Sequence, residues 1–225
     1  SLQKEPLEVR KLNLYGGEGR NISPYQMTVE DNELPEMIAM LEQSSDYAAR
    51  RKEIADWNAT SPVIKRGMAM TPVKFGISFT TTFLNQAGAL IHIYTDGSVH
   101  LNHGGTEMGQ GLFLKVAQVV AEEFSIDIDN IKISATNTGK VPNTSATAAS
   151  SGSDMNGMAA QAAARTLKDR LTEFAAAHYD VAAANIEFAA NQVRIGDTTV
   201  SFAELVNQAY LNRVQLSSTG FYKTP

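Results

Sequence analysis

The sequence has no cysteine. Disulfides, thiolate-bound zinc, cysteine-ligated iron–sulfur clusters and cysteine nucleophiles are therefore excluded from these residues. It has no apolar run approaching the ~20 residues of a membrane span, and no signal peptide opens it. It has no block of Lys or Arg: 19 basic residues stand against 24 acidic ones, a formal net charge of −5. That balance argues against a general nucleic-acid surface. Without a secretory signal, the Asn-x-Ser/Thr triplets at Asn21, Asn58 and Asn143 carry little weight. The cytoplasm is the expected compartment.

What is present suffices for a core. The chain has 225 residues, 43% of them hydrophobic. This length suits one ordinary domain or two small ones and buries roughly 70% of the unfolded surface. The first residues, Ser1-Leu2, lack a Met, and the chain stops at Phe221-Tyr222-Lys223-Thr224-Pro225 without a cap. The expectation is a piece of something longer.

Residues 1–27 read as a strand fragment and a loop around Gly16, Gly17 and Gly19. Asn32-Glu33-Leu34-Pro35 reads as a helix start, with an early Pro whose missing N–H costs nothing there. Met37, Ile38 and Leu41 form its apolar stripe. A second helix begins at Ser45-Asp46 and ends by Asn58–Pro62. Val63–Thr71, Gly76–Phe83, Ala89–Thr95 and Val99–His103 are rich in β-branched and aromatic residues and predict strands. Asp96-Gly97 predicts a hairpin turn. A helix over 111–124, a strand over 130–134, a polar loop over 136–153 and a long Ala-rich helix over 154–178 follow. A hairpin over 185–196 and a helix over 202–210 close the chain. Hairpins mixed with long helices favour an α+β fold over a doubly wound sheet.

Two loops lead into helices. His103-Gly104-Gly105-Thr106-Glu107-Met108-Gly109-Gln110-Gly111 carries four glycines that let backbone pass close to a ligand, and a helix N-terminus suits an anion. It has neither Walker nor Rossmann spacing. A tight strand-to-helix turn explains it equally well. The stretch from Asn143 to Ser153 offers small residues and hydroxyls, with a capped loop and Ser153 as N-cap as the plainer account. Two such loops together point to a shared anionic ligand. His100 and His103 lie on opposite faces of a strand, which disfavours a metal pair. His92 reads as a hydrogen-bonded strand residue and His178 as a helix-end residue. Glu122, Glu123, Asp127 and Asp129 read as a solvated rim.

Lys74–Thr80, Phe83–Leu90, Tyr94–Val99, Gly104–Gly111 and Thr147–Ser150 form an ordered set. So do Glu33–Pro35, Ser44–Arg51, Lys65–Gly67 and the closing Thr219–Pro225. This set resembles the molybdenum-cofactor-binding region of the xanthine dehydrogenases, over most of the chain. The resemblance implies the α+β fold of molybdenum hydroxylases, mixed sheets and hairpins packed with long helices. Residues 1–62 would join a preceding region, and 63–225 would form a truncated molybdopterin-binding domain. The phenylalanine matching Phe79 packs on the purine ring, as an aromatic face suits a flat heterocycle, and the threonine matching Thr80 contacts its polar edge. Residues matching Met108, Gly109 and Gln110 lie at the molybdopterin. Those matching Ala148, Ala149 and Ser150 approach the molybdenum centre and seat the pterin. No protein side chain ligates the metal directly. The catalytic glutamate is expected beyond Pro225, so no catalytic residue is assigned here, and Glu107 is not its substitute.

For the whole enzyme, the resemblance implies hydroxylation of xanthine or hypoxanthine to urate, with electrons leaving through Fe-S clusters and FAD to NAD. The Fe-S and FAD modules lie outside this sequence. The chain alone is expected to be inactive, to hold little or no cofactor and to self-associate. Its partners would be a purine substrate and the remaining parts of the enzyme. The alternatives are a non-catalytic binding domain of the same fold, or a molybdenum hydroxylase acting on another heterocycle or an aldehyde.

Overall fold

The structure is a computed structural model. It describes residues 3–17, 19–24, 26–77, 79–140 and 144–225. Ser78 of the first motif and Asn143 of the second loop lie outside the described residues. The elements run α1 (Pro6–Leu12), α2 (Leu34–Ser44), α3 (Tyr47–Thr60), β1 (Gln86–Ile93), β2 (Val99–His103) and α4 (Leu112–Phe124). Then come β3 (Ile131–Ile133), α5 (Gly152–Tyr179), β4 (Ile186–Ala189), β5 (Gln192–Ile195), β6 (Thr198–Ser201), α6 (Phe202–Leu211) and β7 (Ser217–Lys223). The chain divides into two units, Ser1–Phe75 and Gly76–Pro225.

The first unit is helical. The Glu5 carboxylate accepts from the Leu7 and Glu8 amides at 2.5 and 3.3 Å, and Pro6 supplies a preset φ at the first helical position. α1 therefore forms where a strand fragment and loop were expected. Its small core is Leu7, Ile38, Tyr47 and Met70. Of the expected stripe on α2 only Ile38 is buried, while Met37 and Leu41 are exposed. Residues 63–71 make no strand. They continue beyond α3 without regular secondary structure, tied back by Lys65 Nζ donating to the carbonyls of Asn58 and Ser61 and by the Arg66 guanidinium 3.6 Å over Trp57. Their β-branched side chains Val63 and Ile64 stay exposed, because no described strand pairs with them.

The second unit is α+β. Its main sheet has the order β3-β2-β1-β7, antiparallel except for the β2–β3 pair. The Asp96-Gly97 hairpin joins β1 to β2 as expected. Among the described residues of 76–83 the expected strand does not form; a single helical turn over Thr82–Leu84 enters β1 instead. Alternate residues of β1, namely Ala87, Ala89, Ile91 and Ile93, turn inward. Against them α5 lays Ala159, Ala160, Ala163, Ala164, Leu167 and Leu171, all fully buried. This run of small side chains lets β7 approach closely. A Cβ at Gly220 would fall on the Ala159 carbonyl oxygen and 2.6 Å from the Ala163 amide nitrogen. α4 contributes Val116, Val120 and Phe124 to the same core. The core continues through Val193 and Ile195 of the smaller β4-β5-β6 sheet to Phe202 and Leu205 of α6. β6 and β7 were not anticipated.

Glu123 corrects the solvated-rim expectation. It sits between α4 and α5, its carboxylate 3.3 Å from Arg165 Nε and 3.7 Å from Lys168 Nζ, with its side chain only 14% exposed. His92 packs edge-on against Tyr94 at 4.5 Å.

Candidate functional site

β2 delivers His103 to the core and releases the chain into the 104–111 loop. Glu107 then folds over the start of α4. Its carboxylate accepts from the amides of Gly109 at 2.8 Å and of Gly111 and Phe113 at 3.0 Å. Those of Gly111 and Phe113 are N–H groups that a helix beginning leaves without intrahelical partners. The bond from Phe113, with those from Gly109 and Gly111, holds Glu107 below its ordinary 4.5, desolvation opposing. The anion sought at this helix end is therefore the chain's own carboxylate. Gln110 also turns inward on the loop: its Oε1 accepts from the Met108 amide at 2.6 Å and its Nε2 donates to the Thr106 carbonyl at 2.9 Å.

Threonines stitch this loop to the second one. The Thr106 amide donates to Thr147 Oγ1 at 2.8 Å, and Thr136 Oγ1 donates to the Gly105 carbonyl at 2.7 Å. The Thr144 side chain occupies the space a Cβ at Gly104 would need. Ala149 and Ser150 follow with φ of 54° and 55°, a left-handed conformation that residues bearing a Cβ seldom adopt. α5 begins at Gly152, so Ser153 lies within the first turn and is not the N-cap. Ser151 holds the cap position, and its hydroxyl donates backward to the Ala148 carbonyl at 3.1 Å.

Between the two loops lies a cleft of about 450 Å³, whose lining includes Met108, Gln110, Lys115, Ala148, Ala149 and Ser150. Five of the candidate cofactor residues thus line this one cleft from its two sides, with Gly109 between Met108 and Gln110 in the chain. Phe79 and Thr80 do not line this cleft. Phe79 is held through its backbone, which exchanges two hydrogen bonds of 2.9 and 2.8 Å with the buried side-chain amide of Asn85; Thr80 is exposed. Sequence reasoning missed Lys115, a cation one turn into the helix that follows the glycine loop. It also missed the threonine stitching.

Among the described residues, no group of three or more His, Asp or Glu is placed to hold a metal. His100 bonds Ser134 at 3.0 Å on one face, while His103 is buried on the other. The donor set of the cleft suits a phosphate-bearing organic group. It combines hydroxyls at Ser150 and Ser153, the amide-rich beginning of a 28-residue helix, and a lysine. These residues therefore fit the phosphate end of the molybdopterin that the resemblance implies.

The sequence pattern of the molybdopterin cofactor-binding domain matches residues 40–225. The xanthine dehydrogenase of Blastobotrys adeninivorans is 43% identical over 222 residues, covering 98% of this chain and 14% of that protein. The xanthine dehydrogenase/oxidase of Felis catus is 44% identical, covering 97% of this chain and 15% of its own length. The chain thus spans about one seventh of these curated relatives. Among solved structures, quinoline 2-oxidoreductase from Pseudomonas putida 86 superposes with a TM-score of 0.76 at 19% identity, over 97% of this chain and 30% of that one. The aldehyde oxidoreductase from Desulfovibrio desulfuricans gives a TM-score of 0.66 at 21% identity, over 98% of this chain and 21% of its own. These two speak to the fold. A pattern match over residues 40–225 and relatives above 40% identity, on an α+β frame shared with these two oxidoreductases, lead to one conclusion: the chain belongs to the molybdopterin cofactor-binding domain family.

Proposed function

We propose that the chain supplies one wall of the molybdenum-cofactor seat of a xanthine dehydrogenase, the whole enzyme hydroxylating xanthine or hypoxanthine to urate in the cytoplasm. The observation that carries the reading is the cleft between residues 106–111 and 147–153, with Lys115 and Ser150 on its lining. When bound, the cofactor supplies the redox centre that accepts electrons from the purine. The chain's own residues bind and orient. Lys115, the Ser150 and Ser153 hydroxyls and the first amides of α5 would hold the phosphate end. Ala148 and Ala149 present small side chains, so the group can lie close to backbone. Met108 and Gln110 would form the facing edge. Phe79 and Thr80, outside the cleft, would meet the purine ring and its polar edge. Residues 1–62 would serve as the joint to a preceding region and 63–225 as the cofactor domain proper. The general base, the iron–sulfur clusters and FAD would come from other parts of the enzyme, so the isolated chain would turn over no xanthine and would associate through surfaces those parts cover.

The test is elemental mass spectrometry on the parent enzyme carrying Lys115→Ala or Ser150→Val, alongside urate formation. Both variants should lower the molybdenum-to-protein ratio and urate formation together. Wild-type molybdenum content in both would remove the cleft as the seat. Xanthine turnover by the 225-residue chain above a heat-killed control would overturn the assignment of the base and electron relay to other parts.

A further inference from the structure

We infer that His103 is a positioning residue for the 104–111 loop, acting through one acceptor atom, Nδ1, on the amide of Gly105. The inference rests on the cofactor reading only for what the loop is for; the local geometry stands apart from it. His103 is 1% exposed, at the end of β2, with its ring edge-on to Phe113 of α4 at 5.2 Å. The Gly105 amide donates to its Nδ1 at 3.1 Å. That bond needs a neutral ring with the proton on Nε2, because a protonated Nδ1 would face another donor.

The backbone groups of two consecutive residues, Gly105 and Thr106, are clamped here by four side chains. The Gly105 amide is held by His103 and its carbonyl by Thr136. The Thr106 amide is held by Thr147 and its carbonyl by Gln110. His103 is the buried member of the four. The backbone at Gly105 runs close against two neighbours: a Cβ there would fall 2.5 Å from Leu112 Cδ2 and 2.8 Å from Asn156 Nδ2. The direction in which Met108 and Gln110 leave the core is thus set at the His103–Gly105 bond. No purine or metal contact is required of His103.

The experiment compares His103→Asn with His103→Gln in the full chain. Asparagine carries its Oδ1 on Cγ, as histidine carries Nδ1, and can keep the bond. Glutamine places its carbonyl one bond further out and cannot. Long-range nitrogen–proton correlation on the wild type at neutral pH should show an unprotonated Nδ1. Amide hydrogen exchange at Gly105 and Thr106 should stay slow in His103→Asn and rise about tenfold in His103→Gln, the ratio one lost hydrogen bond sets. Exchange at Ile91 in β1 serves as the fold control. A proton on Nδ1, or equal exchange in the two variants, overturns the inference. If His103→Gln loses protection at Ile91 as well, the wild-type ring spectrum decides alone. None of these readouts involves cofactor. Molybdenum content of the parent enzyme is measured separately: if the exchange results hold and both variants keep full molybdenum, the loop positioning stands and the cofactor reading fails.

Discussion

Two glycine-to-alanine changes, one in β7 where it packs on α5 and one within α5 where it faces α4, should move stability in opposite directions. At Gly220 the added methyl group would fall on the Ala159 carbonyl oxygen and 2.6 Å from the Ala163 nitrogen. Both are helix backbone, so no rotamer change can clear the space; strand and helix must separate. Adding a methyl group to a packed core costs about 1–3 kcal/mol, and a backbone obstacle puts Gly220→Ala at the upper end, about 3 kcal/mol. At Gly157, inside α5, the nearest atom is Val119 Cγ2 at 3.5 Å, an ordinary contact. There alanine gains the helix preference over glycine, about 1 kcal/mol. For a chain this size 1 kcal/mol moves the midpoint by roughly 2–4 °C. Gly220→Ala should therefore melt roughly 6–12 °C lower and Gly157→Ala roughly 2–4 °C higher. The assay is thermal and urea unfolding followed by far-ultraviolet circular dichroism. The single tryptophan, Trp57, sits in the other unit, so its fluorescence would not report directly on β7 and α5. A Gly220→Ala protein melting within about 2 °C of wild type would show that β7 is not seated on α5 at this distance.

Further outcomes concern the loop. Burial, against the attraction of Glu107, lowers His103 from 6.5 to about 4. The unfolded chain therefore takes up a proton that the folded one refuses, so stability is full above pH 6.5 and falls until about pH 4. The loss amounts to about 3 kcal/mol; urea midpoints across that range should show it, and His103→Asn should abolish it. Glu107→Gln should speed amide exchange at Gly111 and Phe113 and lower stability at neutral pH. Because the Glu107 pKa is depressed, that difference should persist above pH 4.5 and vanish as acid passes the folded value; a difference that survives strong acid would refute the carboxylate's role. Ser201→Ala should cost about 1 kcal/mol in urea unfolding, since Ser201 Oγ accepts from the Glu204 amide at the start of α6.

The elements that could be read from sequence are those whose signal is local. α4 and α5 have long apolar faces, and the 96–97 and 190–191 turns sit between alternating runs. α1 is too short for periodicity, although Glu5-Pro6 carried its start signal. β7 reads as Ser-Ser-Thr-Gly-Phe-Tyr-Lys, half polar, and becomes a strand because β1 and the alanine face of α5 receive it. Residues 63–71 and 76–83 have strand composition, but composition supplies no partner. At the site, the glycine loop and the small-residue loop were legible as a pair. The ligand-like anion at α4 was not, since only geometry reveals that Glu107 fills the place itself. Lys115 and the threonine stitches depend on distances between segments about 30–40 residues apart in the chain, beyond what any local pattern encodes.

The pairing of β1 with β7 also has a consequence for synthesis. Gln86 and Lys223 are partners separated by well over a hundred residues. On the ribosome, the β1–β2 hairpin and α4 emerge early, and α5 can dock on them while the outer edge of β1 still lacks its neighbour. Until residues 217–223 leave the exit tunnel, that edge and the alanine groove of α5 stand open together, a template for another nascent chain. Of the four strands of this sheet β7 is made last, so a pause in translation shortly before it would prolong the exposure of that edge of β1.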